Sequence, residues 1–183
     1  MIEVLHENEW LSLRVLREPA KGVNGYVYSH ESRCEGRIVA VLPNRDADYG
    51  REYLIKSEVT PCWSLKPIRS ALTGGYEGGE IADDAVRELW EEGGYAIRRS
   101  DLIYLGRAYA SKSADTLYDL YSVDLTGRAG EEPPGDGSRL ESEAEAVWVE
   151  AAEIARILDP HVSVMYVRLT ALLAASPDSP KED

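Results

Sequence analysis

At 183 residues the chain has the length of one domain with room for a small extra arm. Its formal charge of −13 excludes a broad nucleic-acid surface, which needs clustered Lys and Arg, and no window approaches the roughly 18 consecutive apolar residues of a membrane span. Cys34 and Cys62 are too far apart in sequence to make a disulfide framework and have no CxxC or Cys/His neighbour to suggest zinc, so both read as small buried hydrophobes. The start, MIEVLHENEW, lacks the basic and apolar regions of a signal peptide, and the expected location is the cytoplasm.

In chain order, residues 10–16 (WLSLRVL) alternate apolar and polar as a strand does, and residues 25–30 (GYVYSH) read as a second strand across the turn-like PAKGVNG. Residues 37–42 (RIVAVL) have a buried-strand pattern ended by Pro43-Asn44, and residues 52–55 (EYLI) have another. A long connection with two prolines follows, holding at most one short strand. Ile81–Gly93 reads as a helix with Ala85 and Leu89 on one side and Gly94 as its stop. Residues 102–110 and 116–124 are β-rich. A Gly-, Pro- and acid-rich loop then leads to a short strand at 147–149, and apolar-periodic helices are expected at 151–158 and 162–174. The pattern predicts an α/β (α+β) sandwich, divided as an N-terminal β-rich arm over 1–35, a main domain over 36–175 and a tail over 176–183.

The stretch TGGYEGGEIADDAVRELWEEGGY carries the chemistry. Positions i, i+3 and i+4 share a helix face, so Glu88, Glu91 and Glu92 sit together. Like charges so placed cost helix stability unless something offsets them, and hard divalent cations with a preference for oxygen ligands would do so. Upstream, Gly74, Gly75, Gly78 and Gly79 allow backbone to approach a phosphate or metal closely.

These residues resemble the Nudix box, G-x5-E-x7-R-E-U-x-E-E-x-G-U, with Gly74, Glu80, Arg87, Glu88, Leu89, Glu91, Glu92, Gly94 and Tyr95 at the matching places. The joint between Glu80 and Arg87 is one residue short, which shifts the two residues that brace the loop in that family, and Tyr95 is aromatic where an aliphatic residue is usual. The resemblance implies a Nudix-type α/β/α sandwich with a mixed sheet. It also implies an enzyme that uses Mg²⁺ or Mn²⁺ to hydrolyse a nucleoside diphosphate linked to another moiety. It assigns metal ligation to Glu88, Glu92, Glu91 and the Gly74 carbonyl, orientation of the glutamates to Arg87, and a share of the catalysis to Glu91 and Glu92. The general base is sought among Glu141, Glu143 and Glu145, with Glu141 favoured. Tyr76, Gly75 and Arg51 are substrate-binding candidates, and Trp10, Trp63, Trp90, Tyr109 and Tyr118 are further stacking candidates.

Markers of individual substrate classes are absent outside the box. The β-rich arm resembles that of ADP-ribose and nucleotide-sugar pyrophosphatases, where it helps form a homodimer, so ADP-ribose or a nucleotide sugar is the favoured substrate. A Nudix-fold sensor that binds a nucleotide without cleaving it, and a hydrolase of nucleoside triphosphates or dinucleoside polyphosphates, are the alternatives. The expected partner is a nucleotide-derived small molecule, with no nucleic acid and no membrane.

Overall fold

The computed structural model describes residues 1–135 and 144–175. The first three strands, β1 (Ile2–Glu7), β2 (Ser12–Glu18) and β3 (Val23–His30), form a separate antiparallel sheet in the order β1-β2-β3. Then come β4 (Arg37–Ala47), β5 (Gly50–Glu58), β6 (Ile68–Ser70), β7 (Leu72–Gly75) and α1 (Ile81–Gly93). After the helix follow β8 (Ile103–Tyr109), β9 (Leu117–Asp124), β10 (Glu145–Glu150), α2 (Ala151–Ile154) and α3 (Pro160–Ala175). The main sheet runs β10-β5-β4-β9-β8, with β6 paired to β5 and β7 to β4. It is mixed, because β4 and β9 are parallel while their neighbours pair antiparallel.

Alternation along the strands makes two cores. Val39, Val41, Leu54 and Leu72 face Ala85 and Leu89 of α1, while Ala40, Leu42, Tyr53 and Ile55 face Val162, Met165 and Leu169 of α3. The result is an α/β/α sandwich. No helix among the described residues is long and apolar enough to cross a membrane.

The strand β4 runs through Pro43 instead of stopping there. The reason lies in its partners. Ile38–Val41 pair with β7, and Asn44–Ala47 pair with β5. Pro43, which has no N–H to give, occupies the change of partner. Asn44 then donates its side-chain amide to Ser122 Oγ and the Val123 carbonyl, both at 3.0 Å. The sheet therefore forks: β5 continues with β6 on one branch, β4 with β7 on the other, and Ala71 is the joint. The connection before α1 thus holds two short strands rather than one.

Three other expectations change. A strand forms at Ile2–Glu7, all of it exposed. The helix after β10 stops at Ile154, four residues before the expected end. Cys34 is buried, but Cys62 is exposed. The arm is held to the main domain through the β8–β9 connection. Ser29 N–H donates to the Ser113 carbonyl at 2.9 Å, Asp115 N–H donates back to Ser29 at 3.2 Å, and His30 Nδ1 meets Asp115 at 3.1 Å. Tyr26 adds a bond from its hydroxyl to the Lys112 carbonyl, and Ile2, Val4 and Leu5 of β1 are exposed.

Asp159, just before α3, ties that helix to the fork. One carboxylate oxygen accepts the Ala71 N–H at 2.9 Å and the other accepts the His161 N–H at 2.8 Å. Burial alone would raise this carboxyl, but hydrogen bonds from His161 and Ala71 outweigh burial and hold it below the ordinary range. A lowered folded-state pKa contributes stability that is present above the unfolded value of about 3.9 and is lost as pH falls through the folded value. Urea midpoints should therefore fall below about pH 4 in the wild type, and Asp159→Asn should flatten that acid limb while lowering the neutral-pH midpoint by about 1–3 kcal/mol in stability.

Candidate active site

The helix α1 forms where its periodicity places it. Ala85 and Leu89 are fully buried, Asp83 and Asp84 complement the dipole in the first turn, and Gly94 closes the C-terminus at φ 74°. The helix lies so close to β7 that a Cβ on Gly74 would stand 1.8 Å from Glu88 Oε1. Only a glycine lets Glu88 occupy that position. Burial raises the Glu88 carboxyl above the ordinary range, against the hydrogen bond and charge of Arg87, and the like charge of Glu91 adds to the rise.

Arg87 is the hub of the outer side. It donates to Asp84 at 2.7 Å, to Glu88 at 3.1 Å and to the Gly75 carbonyl at 3.4 Å. It also pairs with Glu77 at 3.1 Å and with Glu91 at 3.7 Å. Glu80, at the helix N-cap, makes no capping hydrogen bond. The brace of the glycine loop is thus made by Glu77 and Asp84, which is how the short joint is accommodated.

Glu92 points inward and is joined to Lys56 of β5, which sequence reasoning did not single out. The Lys56 ammonium bonds Glu92 Oε1 and pairs with Glu58 at 3.0 Å. The other Glu92 oxygen accepts the Thr73 N–H at 3.1 Å. Burial lowers the Lys56 pKa, but Glu92 and Glu58 more than reverse that and keep it charged. Burial raises the Glu92 carboxyl, and the charge and hydrogen bond of Lys56 only partly pull it back. The available signal was the strand period: Lys56 stands two residues after Leu54, on the face turned to α1.

Beside this pair opens a cleft of about 700 Å³, lined among others by Leu54, Lys56, Glu91, Glu92, Tyr95 and Trp148. Glu145, the first residue of β10, also lines it, whereas Glu141 and Glu143 lie outside the described residues. The structure thus brings Glu91 and Glu92 to the cleft and stacks Gly74, Glu88 and Arg87 immediately behind them. Gly75 and Tyr76 follow at the exit of β7, where Tyr76 bonds the Gly79 carbonyl and carries the Arg37 guanidinium 4.8 Å from its ring centroid. Arg51 is not part of this grouping: it bonds Asp46 at 2.8 Å in the β4–β5 hairpin, on the sheet face opposite Lys56. Of the other aromatic candidates, Trp10 and Trp63 are exposed, and Tyr118 stacks on His161.

Three carboxylates and a glycine loop are a hard-oxygen donor set suited to Mg²⁺ or Mn²⁺. The fit is clearest for Glu88 and Glu91. Glu92 already has both oxygens engaged, and among the described residues no three Asp, Glu, His or Cys side chains converge on one point ready to hold an ion. Cation binding at Glu92 requires Lys56 to give way.

Two expected outcomes follow from these contacts. Lys56→Met leaves Glu92 buried without its cation and should cost about 3 kcal/mol, while adding Glu92→Gln should recover much of that loss in a denaturation double-mutant cycle. Gly74→Ala should displace Glu88, costing about 1–3 kcal/mol in the same assay and weakening Mn²⁺ binding followed by calorimetry.

No protein-family model matches this chain, and no curated protein matches it by sequence. A solved structure described as the crystal structure of ADP compounds hydrolase matches it with a TM-score of 0.65, over 97% of this chain and 95% of that one, at 16% identity. At that identity the likeness shows the fold alone: the chain shares the mixed-sheet α+β architecture of that structure.

Proposed function

We propose that the protein hydrolyses the pyrophosphate bond of a nucleoside diphosphate linked to another moiety, with Mg²⁺ or Mn²⁺ held by Glu88, Glu91 and Glu92. The observation that carries this reading is the seating of Glu88 against Gly74, which sets a three-glutamate helix on a glycine loop at the wall of a cleft. The fold neighbour's description as an ADP compounds hydrolase favours an ADP-linked substrate such as ADP-ribose over other nucleotide sugars.

Bound there, a divalent cation supplies charge neutralisation of the pyrophosphate and lowers the pKa of water. The chain supplies the rest. Arg87 holds Glu88 and Glu91 in orientation through its contacts with both. Lys56 presents a charged ammonium in the cleft lining, a partner for a phosphoryl oxygen when it leaves Glu92. Glu91 and Glu145 line the cleft, and either carboxylate would serve as the base that takes a proton from water. One observation supports a second reading. The Lys56–Glu92 pair puts a charged ammonium on one of the proposed metal ligands, as a nucleotide sensor without hydrolysis would tolerate.

Hydrolysis of a panel of ADP-ribose, nucleotide sugars, nucleoside triphosphates and dinucleoside polyphosphates decides between them. With Mg²⁺ or Mn²⁺, the wild type should turn over ADP-ribose or a related ADP-linked compound, and Glu88→Gln and Glu92→Gln should each lose roughly a hundredfold or more in kcat/KM. No turnover by any form, together with a nucleotide-dependent rise in melting temperature, would replace the enzyme with the sensor.

A further inference from the structure

The cleft beside Glu91 and Glu92 has an aromatic end that ion chemistry does not need. Trp148 of β10 stands across from Leu54 of β5, and its ring meets that of Tyr95 edge to face, with centroids 6.1 Å apart and planes at 87°. The Arg45 guanidinium lies 4.0 Å from the centroid of the Trp148 ring and is itself held by Glu52 at 2.7 Å. Two neighbours therefore fix the indole in one orientation, half-buried, at the cleft wall.

The facing wall is the loop 130–135, and backbone holds it in place. Glu131 N–H donates to the Gly94 carbonyl at 2.8 Å, and Gly135 N–H donates to the Glu91 carbonyl at 3.0 Å. Two glycines permit the approach. A Cβ on Gly94 would lie 2.0 Å from the Glu131 carbonyl oxygen, and one on Gly130 would lie 2.7 Å from the Tyr95 ring. The loop is thus pinned to the end of α1, and among the described residues the space between it and Trp148 is open. At about 700 Å³, the cleft falls within the range usual for small-molecule sites.

We propose that Trp148, set by Tyr95 and Arg45, is the seat for a planar heteroaromatic ring of the ligand. Its link to hydrolysis rests on the function proposed above; the binding itself does not. Stacking on a fixed indole needs only a π-face, so the ring belongs either to the base of the nucleotide or to the group attached to it. A ring seated there places the adjoining phosphates toward Lys56, Glu91 and Glu92, the polar end of the same cleft.

Calorimetric titration with non-hydrolysable mononucleotides tests this, in Mn²⁺ and again in chelator. Adenosine monophosphate, nicotinamide mononucleotide and ring-free ribose 5-phosphate are the probes. The wild type should bind at least one ring-bearing probe more tightly than ribose 5-phosphate. Trp148→Ala should weaken that probe roughly tenfold or more and leave ribose 5-phosphate unchanged, whereas Trp148→Phe should keep most of the affinity. Whichever ring-bearing probe responds identifies the source of the ring. Equal binding of all probes by the wild type, no binding of either ring, or unchanged ring affinity in a Trp148→Ala protein with a normal melting transition would overturn the proposal. If Trp148→Ala fails to fold, Trp148→Leu, which keeps the apolar bulk and removes the π-face, is read by the same criteria. Ring binding without turnover of the hydrolysis panel would sink the enzyme and leave this seat intact; turnover with unchanged ring affinity would do the reverse.

Discussion

The main sheet forks at Pro43, and a carboxylate from each helical layer closes the fork. At the joint, the N–H groups of Ala71 and Thr73 are taken by acidic side chains, Asp159 from the α3 side and Glu92 from the α1 side. Buried amides left without acceptors would be costly. Glu92 does more than satisfy one of them. Its second oxygen reaches Lys56 on β5, so the carboxylate spans both branches of the sheet. The cost of burying it is partly offset by an ammonium and a backbone amide. The candidate chemistry therefore sits at a point where the architecture already required an acid. The same residue is read as a structural tie in one frame and as a metal ligand in the other.

That double use bears on how the site is organised. Glu88, Glu91 and Glu92 share a helix face in the sequence pattern, yet the fold gives them different surroundings. Glu88 is pressed onto Gly74, Glu91 lies on the cleft wall with Arg87 nearby, and Glu92 is locked to Lys56. Two fixed cations of the chain, a guanidinium outside and an ammonium inside, flank the acidic row. They let three carboxylates stand close together without unwinding the helix. A cation arriving from solvent would compete with Lys56 and Arg87, so its binding would be an exchange of partners rather than the filling of a void.

The helix and its glutamates were legible in the sequence because a local period writes them into neighbouring residues. So were the positions of the main strands along the chain, marked by apolar runs such as RIVAVL and EYLI. The features that were not legible depend on pairings across long separations. Pro43 reads as a strand end until β7 and β5 are seen to share β4. Lys56 reads as the residue after a strand until Glu92 is brought to it, and Glu77 replaces Glu80 as the partner of Arg87 because the loop folds back. Trp148 stayed inconspicuous because its place in a short strand says nothing of Tyr95 or Arg45, which come from distant parts of the chain. Local chemistry found the acids; only tertiary contacts supply their counter-charges and the aromatic wall.

The loop over residues 130–135 is attached to the end of α1 by main-chain atoms. Its tolerance to substitution follows from that attachment. The anchoring hydrogen bonds use backbone atoms, so Glu131, Glu132 and Pro133 can change charge or size while the loop keeps its attachment, and the lining of the cleft is free to drift. Gly94 and Gly130 have no such latitude, since any side chain there would strike the Glu131 carbonyl or the Tyr95 ring. Divergence in this region is therefore channelled: the scaffold holds two glycines constant while the side chains of residues 131–133 are left to vary.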